Sequence, residues 1–196
     1  MMKEEPMRIL RAFSLVELLV VVGIIGLLIG ILLPTLSRAR AASNRTACAA
    51  QLRDIGHAFT MYMNDSRNKL PRVNTMPSMV PPPADNPPSA VKVLEPYIKG
   101  ATNVWRCPSD IIRKPSVGSP PGYNTYFERE GLSYQYNPML SSSNAGMPLE
   151  KTSYYQRYHS LQLVVIFYDY EPFHGIAGKP GSTNYLFADS HVGDME

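Results

Sequence analysis

The chain has 196 residues, with 19 Lys and Arg residues against 16 Asp and Glu residues and a formal net charge of +3. This small charge gives no strong signature of nucleic-acid binding, so we do not expect a nucleic-acid partner. The length is sufficient for one domain of ordinary size in addition to a membrane segment.

A nearly unbroken apolar run, AFSLVELLVVVGIIGLLIGILLPTL, occupies residues 12–36 and contains one acid, Glu17. Residues 13–33 would cover about 30 Å as a helix, which matches the hydrocarbon core of a bilayer. A basic segment precedes the run, as in a secretory signal peptide. However, the run is longer than the apolar region of such a peptide, and it lacks a small-x-small cleavage site. The sequence therefore predicts a membrane-spanning helix.

An acid at membrane depth is costly without a partner, and the apolar residues that follow Glu17 supply no cation. The segment RAFSLVELLVVVGIIGLLIGILLPTL resembles the class III signal of type IV pilins and type II secretion pseudopilins. The resemblance implies that a prepilin peptidase cuts between Ala12 and Phe13 and methylates the new amine. Glu17 then becomes the fifth mature residue and Pro34 the twenty-second, as in the family, although Ala12 replaces the usual Gly. The alternative is a plain signal anchor.

The resemblance also implies assembly roles for Glu17 and Pro34. The Glu17 carboxylate would pair with the Phe13 amine of the adjacent subunit, so an acid that is costly in lipid would set the register of a filament. The expected partners are other copies of the chain, minor pilins, the prepilin peptidase, an inner-membrane assembly platform and the lipid bilayer. The expected location is the inner membrane, crossed once, with the C-terminal part in the periplasm or outside the cell.

After the apolar run, residues 36–66 change to the pattern of an amphipathic helix. Apolar residues recur in steps of four and three on one helical face: Cys48, Leu52, Ile55, Phe59 and Tyr62. The helix is predicted to stop at Asn64-Asp65-Ser66. Within it, Pro34 removes one backbone donor and is expected to kink or locally melt the helix.

The remaining sequence predicts a proline-rich surface loop and then a small α+β part. AVKVLEPYIKG predicts a helix ending at Gly100, LSYQY a half-buried strand, and LQLVVIFYDY a strand starting at Leu161. NYLFADSHVGDM predicts a final hairpin that turns at Asp189-Ser190. The fold class is therefore α+β, with a long N-terminal helix on a small antiparallel sheet, as in pilins. We divide the chain into leader 1–12, transmembrane helix 13–35, amphipathic helix 36–66, proline-rich loop 67–90 and extracytoplasmic part 91–196.

The second half of the chain carries a further resemblance. The segments CAAQLRDIGHAFTMYMNDSRNKLP, WRCPSD, LSYQYN and NYLFADSHV are similar to pseudopilin-like proteins with a prepilin-type cleavage and methylation domain. The similar subfamily ends with a His, nine residues and then Asp-Gly. Here fourteen residues separate His174 from Asp189, and Ser190 stands where the subfamily has Gly.

Two kinds of site are expected in the exported part. Cys48 and Cys107 are predicted to form one disulfide because such bonds persist outside the cytoplasm, and the alternative is two buried thiols. Major pseudopilins of related secretion systems hold Ca²⁺ in C-terminal loops, which need oxygen ligands. The candidate ligands for Ca²⁺ are Asp169, Glu171 and Asp189, and the alternative is that these acids are merely solvated. No other cofactor is expected.

The histidines and acids form no zinc-protease motif, nucleophile elbow or phosphate-binding loop, so we do not expect an enzyme. The resemblance implies a pilin-like structural subunit, in either a type II secretion pseudopilus or a type IV pilus-like filament. The alternative from another class is a membrane-anchored extracytoplasmic binding module that does not polymerise. A third hypothesis, a minor pilin that binds DNA, has little support from the small net charge.

Overall fold

The computed structural model describes residues 14–76, 87–112, 122–141 and 144–195. The leader and the predicted cleavage site at Ala12 and Phe13 lie outside the described residues, and so does the centre of the proline-rich segment. The chain divides into two compact units, residues 1–40 and residues 41–196.

The described ranges contain helices α1 to α5 and strands β1 to β4. In chain order, these are α1 (Leu15–Asp65), α2 (Ala90–Ile98), α3 (Tyr126–Glu130), β1 (Tyr134–Tyr136), α4 (Pro138–Ser141), α5 (Ser153–Tyr158), β2 (Val165–Asp169), β3 (Tyr185–Phe187) and β4 (Val192–Gly193). The strands form one sheet in the order β1-β2-β3-β4, and each neighbouring pair is antiparallel. The predicted α+β fold, a long N-terminal helix on a small antiparallel sheet, is confirmed.

In the first unit, α1 continues through Pro34 as a regular helix. A proline has no backbone N–H, so the carbonyl of Gly30 loses its usual helical donor at this point. Directly after the proline, the hydroxyl of Thr35 donates to the carbonyl of Leu32 at 2.8 Å. The predicted local melting at Pro34 is therefore not observed.

In the second unit, α1 buries the predicted stripe of apolar side chains. Cys48, Leu52 and Ile55 are fully buried, and Phe59 is nearly so. The helix ends at Asp65, as predicted from Asn64-Asp65-Ser66. Confirmation of both the stripe and the stop shows that the 3.6-residue period determines which face of this helix enters the core.

A glycine allows α1 to lie close against the sheet. A β-carbon placed on Gly56 would lie 2.9 Å from Cδ1 of Leu186, which belongs to β3. Nearby, Phe59 of α1 meets Phe167 of β2 edge to face, with ring centroids 6.4 Å apart. The aromatic edge-to-face contact and the close backbone approach together fill the space between helix and sheet.

Strand β1 forms at the predicted position, but all three of its residues are buried. The prediction of a half-buried strand is therefore wrong. The polar residues that suggested a solvent-facing side are buried as well, and Ser133 donates its hydroxyl to the Asp110 carboxylate at 2.6 Å. The alternation of apolar and polar residues alone assigns such a position to solvent. A polar side chain can nevertheless be buried there when it has a strong hydrogen-bond acceptor as its partner.

Strand β2 starts at Val165, four residues later than predicted. The preceding residues, Leu161–Leu163, form a 3-10 turn. The Ser160 side chain accepts a hydrogen bond from the backbone N–H of Gln162 at 3.3 Å. A serine that bonds its neighbouring backbone favours a turn over a strand ladder, which explains the late start.

The final hairpin, β3 followed by β4, is confirmed. The backbone N–H of Phe187 donates to the carbonyl of His191 at 3.0 Å, which closes the turn. Within the turn, Ser190 has a positive φ of 71°. Its hydroxyl lies 3.3 Å from the hydroxyl of Thr60, so the turn also contacts α1.

The described ends of the proline-rich segment belong partly to the core. Leu70, Val73 and Met76 are buried, so the prediction of a surface loop is wrong for these three residues, whereas Arg72 between them is exposed. At the other end, α2 begins within the predicted loop. The Ser89 side chain caps this helix by accepting a hydrogen bond from the backbone N–H of Lys92. The proline content of this segment indicated an irregular backbone, but it did not indicate whether the apolar residues of the segment were buried.

A disulfide joins Cys48 of α1 to Cys107, with the two Cα atoms 5.1 Å apart and a sequence separation of 59 residues. Both residues are buried in the core. The bond therefore links the start of the buried stripe of α1 to the segment that precedes α3.

Opening this disulfide should lower the free energy of unfolding by roughly 4 kcal/mol, because it removes the restriction on a long loop of the unfolded chain. The measurement is urea unfolding of the full chain in detergent, with and without dithiothreitol, in the presence of a metal chelator. The Cys48→Ala, Cys107→Ala double variant provides the control, since its stability should not respond to dithiothreitol. Equal midpoints for oxidised and reduced wild type, with the bond established by non-reducing peptide mapping, would contradict the prediction.

Candidate functional site

The first half of α1 exposes an apolar surface that nothing in the described residues covers. Its large aliphatic side chains, from Leu15 to Leu36, are between 47% and 78% exposed. The helix contains a window with a mean hydropathy of 2.9, long and apolar enough by length and composition to cross a membrane. Glu17 is its only ionisable side chain before Arg38. This surface is the first candidate site.

Glu17 has a partner that the sequence analysis did not consider. Its Oε2 accepts a hydrogen bond of 3.0 Å from the backbone N–H of Ser14, three residues earlier. This is one half of a capping box, and an acid in the first helical turn also favours the positive end of the helix dipole. The signal was present in the sequence, since Ser14-x-x-Glu17 precedes the apolar run. Glu17 thus helps to start the helix in a single chain.

The predicted calcium ligands are not brought together. Asp169 Oδ2 accepts from the backbone N–H of Asn184 at 2.7 Å, and the Tyr126 hydroxyl donates to Glu171 at 2.5 Å. Oδ1 of Asp189 lies 2.5 Å from Nδ1 of His191, two residues later, and Asp189 is part of the hairpin turn. Each acid is thus engaged by a different part of the fold. Calcium binding by these residues stays a prediction that this arrangement does not support.

A different set of ligand-type side chains does come together. Among the described residues, the group with ligand atoms within 4.8 Å of one another is Cys48, Cys107 and His174. Nε2 of His174 lies 3.6 Å from Sγ of Cys107 and 3.4 Å from Oδ2 of Asp169. In the sequence, His174 stands out only through its resemblance to the C-terminal motif, and no pattern connects it to the cysteines. We call Cys48, Cys107, Asp169 and His174 the buried cluster.

A second buried carboxylate, Asp110, organises the segment beside the buried cluster. Its two oxygens accept from the backbone N–H groups of Tyr126 and Phe127, at 2.9 and 2.8 Å, and so cap the start of α3. Ser133, which donates to the same carboxylate, also accepts from the backbone N–H of Cys107 at 3.1 Å. Burial raises the pKa of Asp110, whereas these hydrogen bonds lower it. Asp110 therefore holds Cys107 in place through Ser133.

Burial favours the uncharged forms of both ionisable members of the buried cluster. It raises the pKa of Asp169 to about 7, against hydrogen bonds from Asn184 and the positive charge of Arg45, which lower it. It lowers the pKa of His174 to about 4, and Arg45 acts in the same direction. Between these values, the contact between the two side chains joins a protonated carboxyl to a neutral imidazole. It is therefore not an ion pair over that range.

These two pKa shifts have opposite effects on stability. Unfolded His174 binds a proton that the folded residue rejects between pH 4 and 6.5, so its contribution to stability rises with pH. Folded Asp169 keeps a proton that the unfolded residue has lost between pH 3.8 and about 7, so its contribution falls as pH rises. In the wild type, the two contributions largely cancel.

Single variants should expose each contribution. Between pH 4.5 and 6.5, Asp169→Asn should become more stable with rising pH relative to wild type, and His174→Asn less stable, each by up to about 1.4 kcal/mol per pH unit. Unfolding of the oxidised full chain in detergent, measured at several pH values, checks this. His159→Asn, at an exposed histidine, is the matched control. Parallel pH profiles for both cluster variants and wild type would refute the opposing shifts.

Comparison with known proteins finds a similarity to a pilus subunit. The chain is 39% identical over 62 residues to the type IV wide pilus major component PilA4 of Thermus thermophilus. The matched region covers 32% of this chain and 47% of that protein, so the chain spans about half the length of its relative. No family model matches the chain, and no solved structure matches it. The similarity supports a pilin-like protein.

Proposed function

We propose that this chain is a pilin-like structural subunit that assembles into a filament through the first half of α1. The observation that carries the proposal is the exposed apolar surface of residues 15–36, interrupted only by the charge of Glu17. The partial similarity to PilA4, a component of a type IV pilus, supports the same function. The filament would be either a type IV pilus-like filament or a type II secretion pseudopilus.

The apolar surface needs an apolar environment at every stage. Before assembly, a lipid bilayer would surround it, because a helix satisfies its own backbone hydrogen bonds and can therefore cross the hydrocarbon core. After assembly, the same side chains would pack against the helices of neighbouring subunits and stay away from water. Large exposed apolar patches on proteins generally mark membrane or protein contacts, which agrees with both stages.

Glu17 would direct one subunit onto the next. The capping bond uses Oε2, and a carboxylate can accept several hydrogen bonds, so the cap leaves capacity for a second donor. We propose that this donor is the Phe13 amine of an adjacent subunit after cleavage. A buried carboxylate and ammonium stabilise docking only as a pair, so the pair would set the register between subunits.

Pro34 would have a separate role in assembly. The missing N–H leaves the Gly30 carbonyl without its usual donor, which weakens the helix locally. We propose that this weakness lets the apolar helix adjust when it leaves the bilayer and packs among other helices. The regular helix around Pro34 is then the form of a single subunit.

The remaining partners and the location follow from the same proposal. A prepilin peptidase would remove residues 1–12, and an inner-membrane assembly platform would add the mature subunit to copies of itself and to minor pilins. The chain would cross the inner membrane once, with residues 41–196 in the periplasm or outside the cell. An anchored binding module that does not polymerise is the competing outcome of the experiments below.

The first experiment tests cleavage. Coexpression with an active prepilin peptidase should yield a mature protein that begins with N-methylated Phe13. Intact-mass measurement and N-terminal sequencing of membrane-extracted protein detect the product, and a catalytically inactive peptidase is the control. Recovery of the Met1 form alone in the presence of active peptidase would rule out this processing.

The second experiment separates the two uses of Glu17. Gln at this position keeps the capping box but removes the charge, whereas Ala removes both. Filament yield should fall for Glu17→Gln and Glu17→Ala alike, because docking leaves the neighbouring ammonium unpaired at a cost of roughly 3 kcal/mol. Membrane insertion should be no worse for Glu17→Gln, since burying an acid is avoided.

Filament yield is measured against inserted monomer, with cleavage followed separately. Wild-type filament levels for Glu17→Gln together with a defect for Glu17→Ala would assign Glu17 to capping alone. If the wild type is cleaved and inserted but forms no filament when all assembly components are present, the anchored binding module is the better interpretation.

A further inference from the structure

We infer that the buried cluster is a redox-gated metal site. When the Cys48–Cys107 disulfide is reduced, the two thiolates, Nε2 of His174 and a carboxylate oxygen of Asp169 bind one Zn²⁺ ion in a tetrahedral arrangement. The inference concerns residues 41–196 alone and does not rest on assembly into a filament.

Two distances within the buried cluster match those around zinc. The usual bond lengths of a tetrahedral zinc ion place a thiolate sulfur about 3.6 Å from an imidazole nitrogen, and that nitrogen about 3.4 Å from a carboxylate oxygen. Here Sγ of Cys107 lies 3.6 Å from Nε2 of His174. The same nitrogen lies 3.4 Å from Oδ2 of Asp169. Nε2 of His174 is therefore at coordination spacing from both neighbours, whereas Asp169 lies outside the group whose ligand atoms are all within 4.8 Å of one another and has to approach the sulfurs when the ion binds.

Cys48 supplies the fourth ligand, and the disulfide controls its availability. The ligand atoms of Cys48, Cys107 and His174 all lie within 4.8 Å of one another. Sulfurs bonded to each other are not thiolates and do not hold zinc. A dithiol reductant breaks the S–S bond by transferring two electrons and two protons, and it is itself oxidised to a disulfide. Zn²⁺ then displaces the two thiol protons into solvent.

An unsatisfied buried oxygen is the second observation that points to a ligand. Oδ1 of Asp169 has no hydrogen-bond partner among the described residues, although the side chain is fully buried. Buried polar groups normally have partners, and an ion held by the cluster would balance the carboxylate charge.

The surrounding backbone already fixes the ligands. The backbone N–H of His174 donates to the carbonyl of Ser182 at 3.1 Å, and that of Asn184 donates to Asp169. On the other side, Ser133 holds the backbone of Cys107. Such outer contacts orient ligands and contribute to metal affinity.

A surface cavity lies beside one of the sulfur ligands. Its volume is about 450 Å³. It is lined by Gln51, Asn103, Arg106, Cys107, Pro108 and Asp110. Cys107 itself is only 1% exposed, so a dithiol and an ion would reach its sulfur from this cavity only through a local opening of the cavity wall. With zinc bound, the ion would link α1 to the Cys107 segment in place of the covalent bond.

The test uses Co²⁺ as a spectroscopic probe for the zinc site. The full chain in detergent is reduced with dithiothreitol, separated from it by anaerobic gel filtration and titrated with Co²⁺. One equivalent should produce the thiolate charge-transfer bands and intense visible bands of tetrahedral cobalt, and Zn²⁺ should displace it. The oxidised chain should give neither band.

Ligand variants make the test specific. His174→Ala and Asp169→Asn should each weaken Co²⁺ and Zn²⁺ binding by at least about tenfold, since even the loss of an outer contact costs that much. His191→Ala, at a histidine outside the cluster, is the matched control and should bind as wild type. Disulfide formation in each oxidised variant, established by peptide mapping, verifies that the ligands are still brought together.

Three outcomes would overturn the inference. The first is the absence of tetrahedral cobalt bands in the reduced wild type. The second is equal binding by oxidised and reduced chains, and the third is unchanged affinity in both cluster variants. As a measurement that does not depend on the variants, bound Zn²⁺ should slow alkylation of both thiols in the reduced wild type, and equal alkylation with and without Zn²⁺ would also contradict the site.

Discussion

The folded unit depends on one contact, the packing of a single stripe of α1 against a very small sheet. The strands have only two to five residues each, so the sheet has little capacity to hold a core without the helix. The stripe supplies Leu52, Ile55 and Phe59, and the absence of a side chain at Gly56 lets the helix lie against β3. In the first half of α1, the apolar residues surround the helix instead of following one stripe, so a sheet packed on one face would leave the other faces exposed.

Two buried carboxylates hold the irregular parts of this unit together. Asp110 joins the Cys107 segment to the start of α3, and Asp169 joins the end of β2 to Asn184. Burying an acid is unfavourable unless hydrogen bonds or a proton compensate. Asp110 accepts three strong hydrogen bonds, whereas Asp169 retains a proton up to near neutral pH. The hydrogen bonds of these two carboxyls thus connect segments that the short strands of the sheet do not connect.

The sequence predicted those features that depend on local periodicity and turn chemistry. The buried stripe of α1 and the final hairpin were predicted because their neighbours along the chain determine them. The start of β2 was misjudged because the Ser160 turn competes with a strand in a run that is apolar throughout. Burial of Leu70 and Val73 could not be predicted either, since a proline-rich segment has no period from which to infer a buried face.

The candidate sites differ in the same way. Glu17 and its cap lie within one helical turn, so the pattern Ser14-x-x-Glu17 carried the information. The buried cluster joins residues from α1, the Cys107 segment and the loop after β2, which are far apart in sequence. The meeting of Cys48 and Cys107 was predicted from the two cysteines and the exported location, but no spacing rule connects His174 to them, and only the folded chain shows that it joins the pair. The candidate calcium ligands were chosen by their place near the C-terminus, and in the fold each of them contacts a different group.

Ser190 illustrates how a turn can keep its backbone form without the residue that best suits it. Its φ of 71° lies in the left-handed region, where Gly is free of strain and other residues cost roughly 1 kcal/mol. The resemblance places Gly at this position. The Ser190 hydroxyl contacts Thr60 of α1. A glycine has no side chain with which to make this contact. The hairpin thus accepts a less favourable backbone conformation at its tip and gains a side-chain contact with α1, so the turn chemistry of this position also contributes to helix–sheet packing.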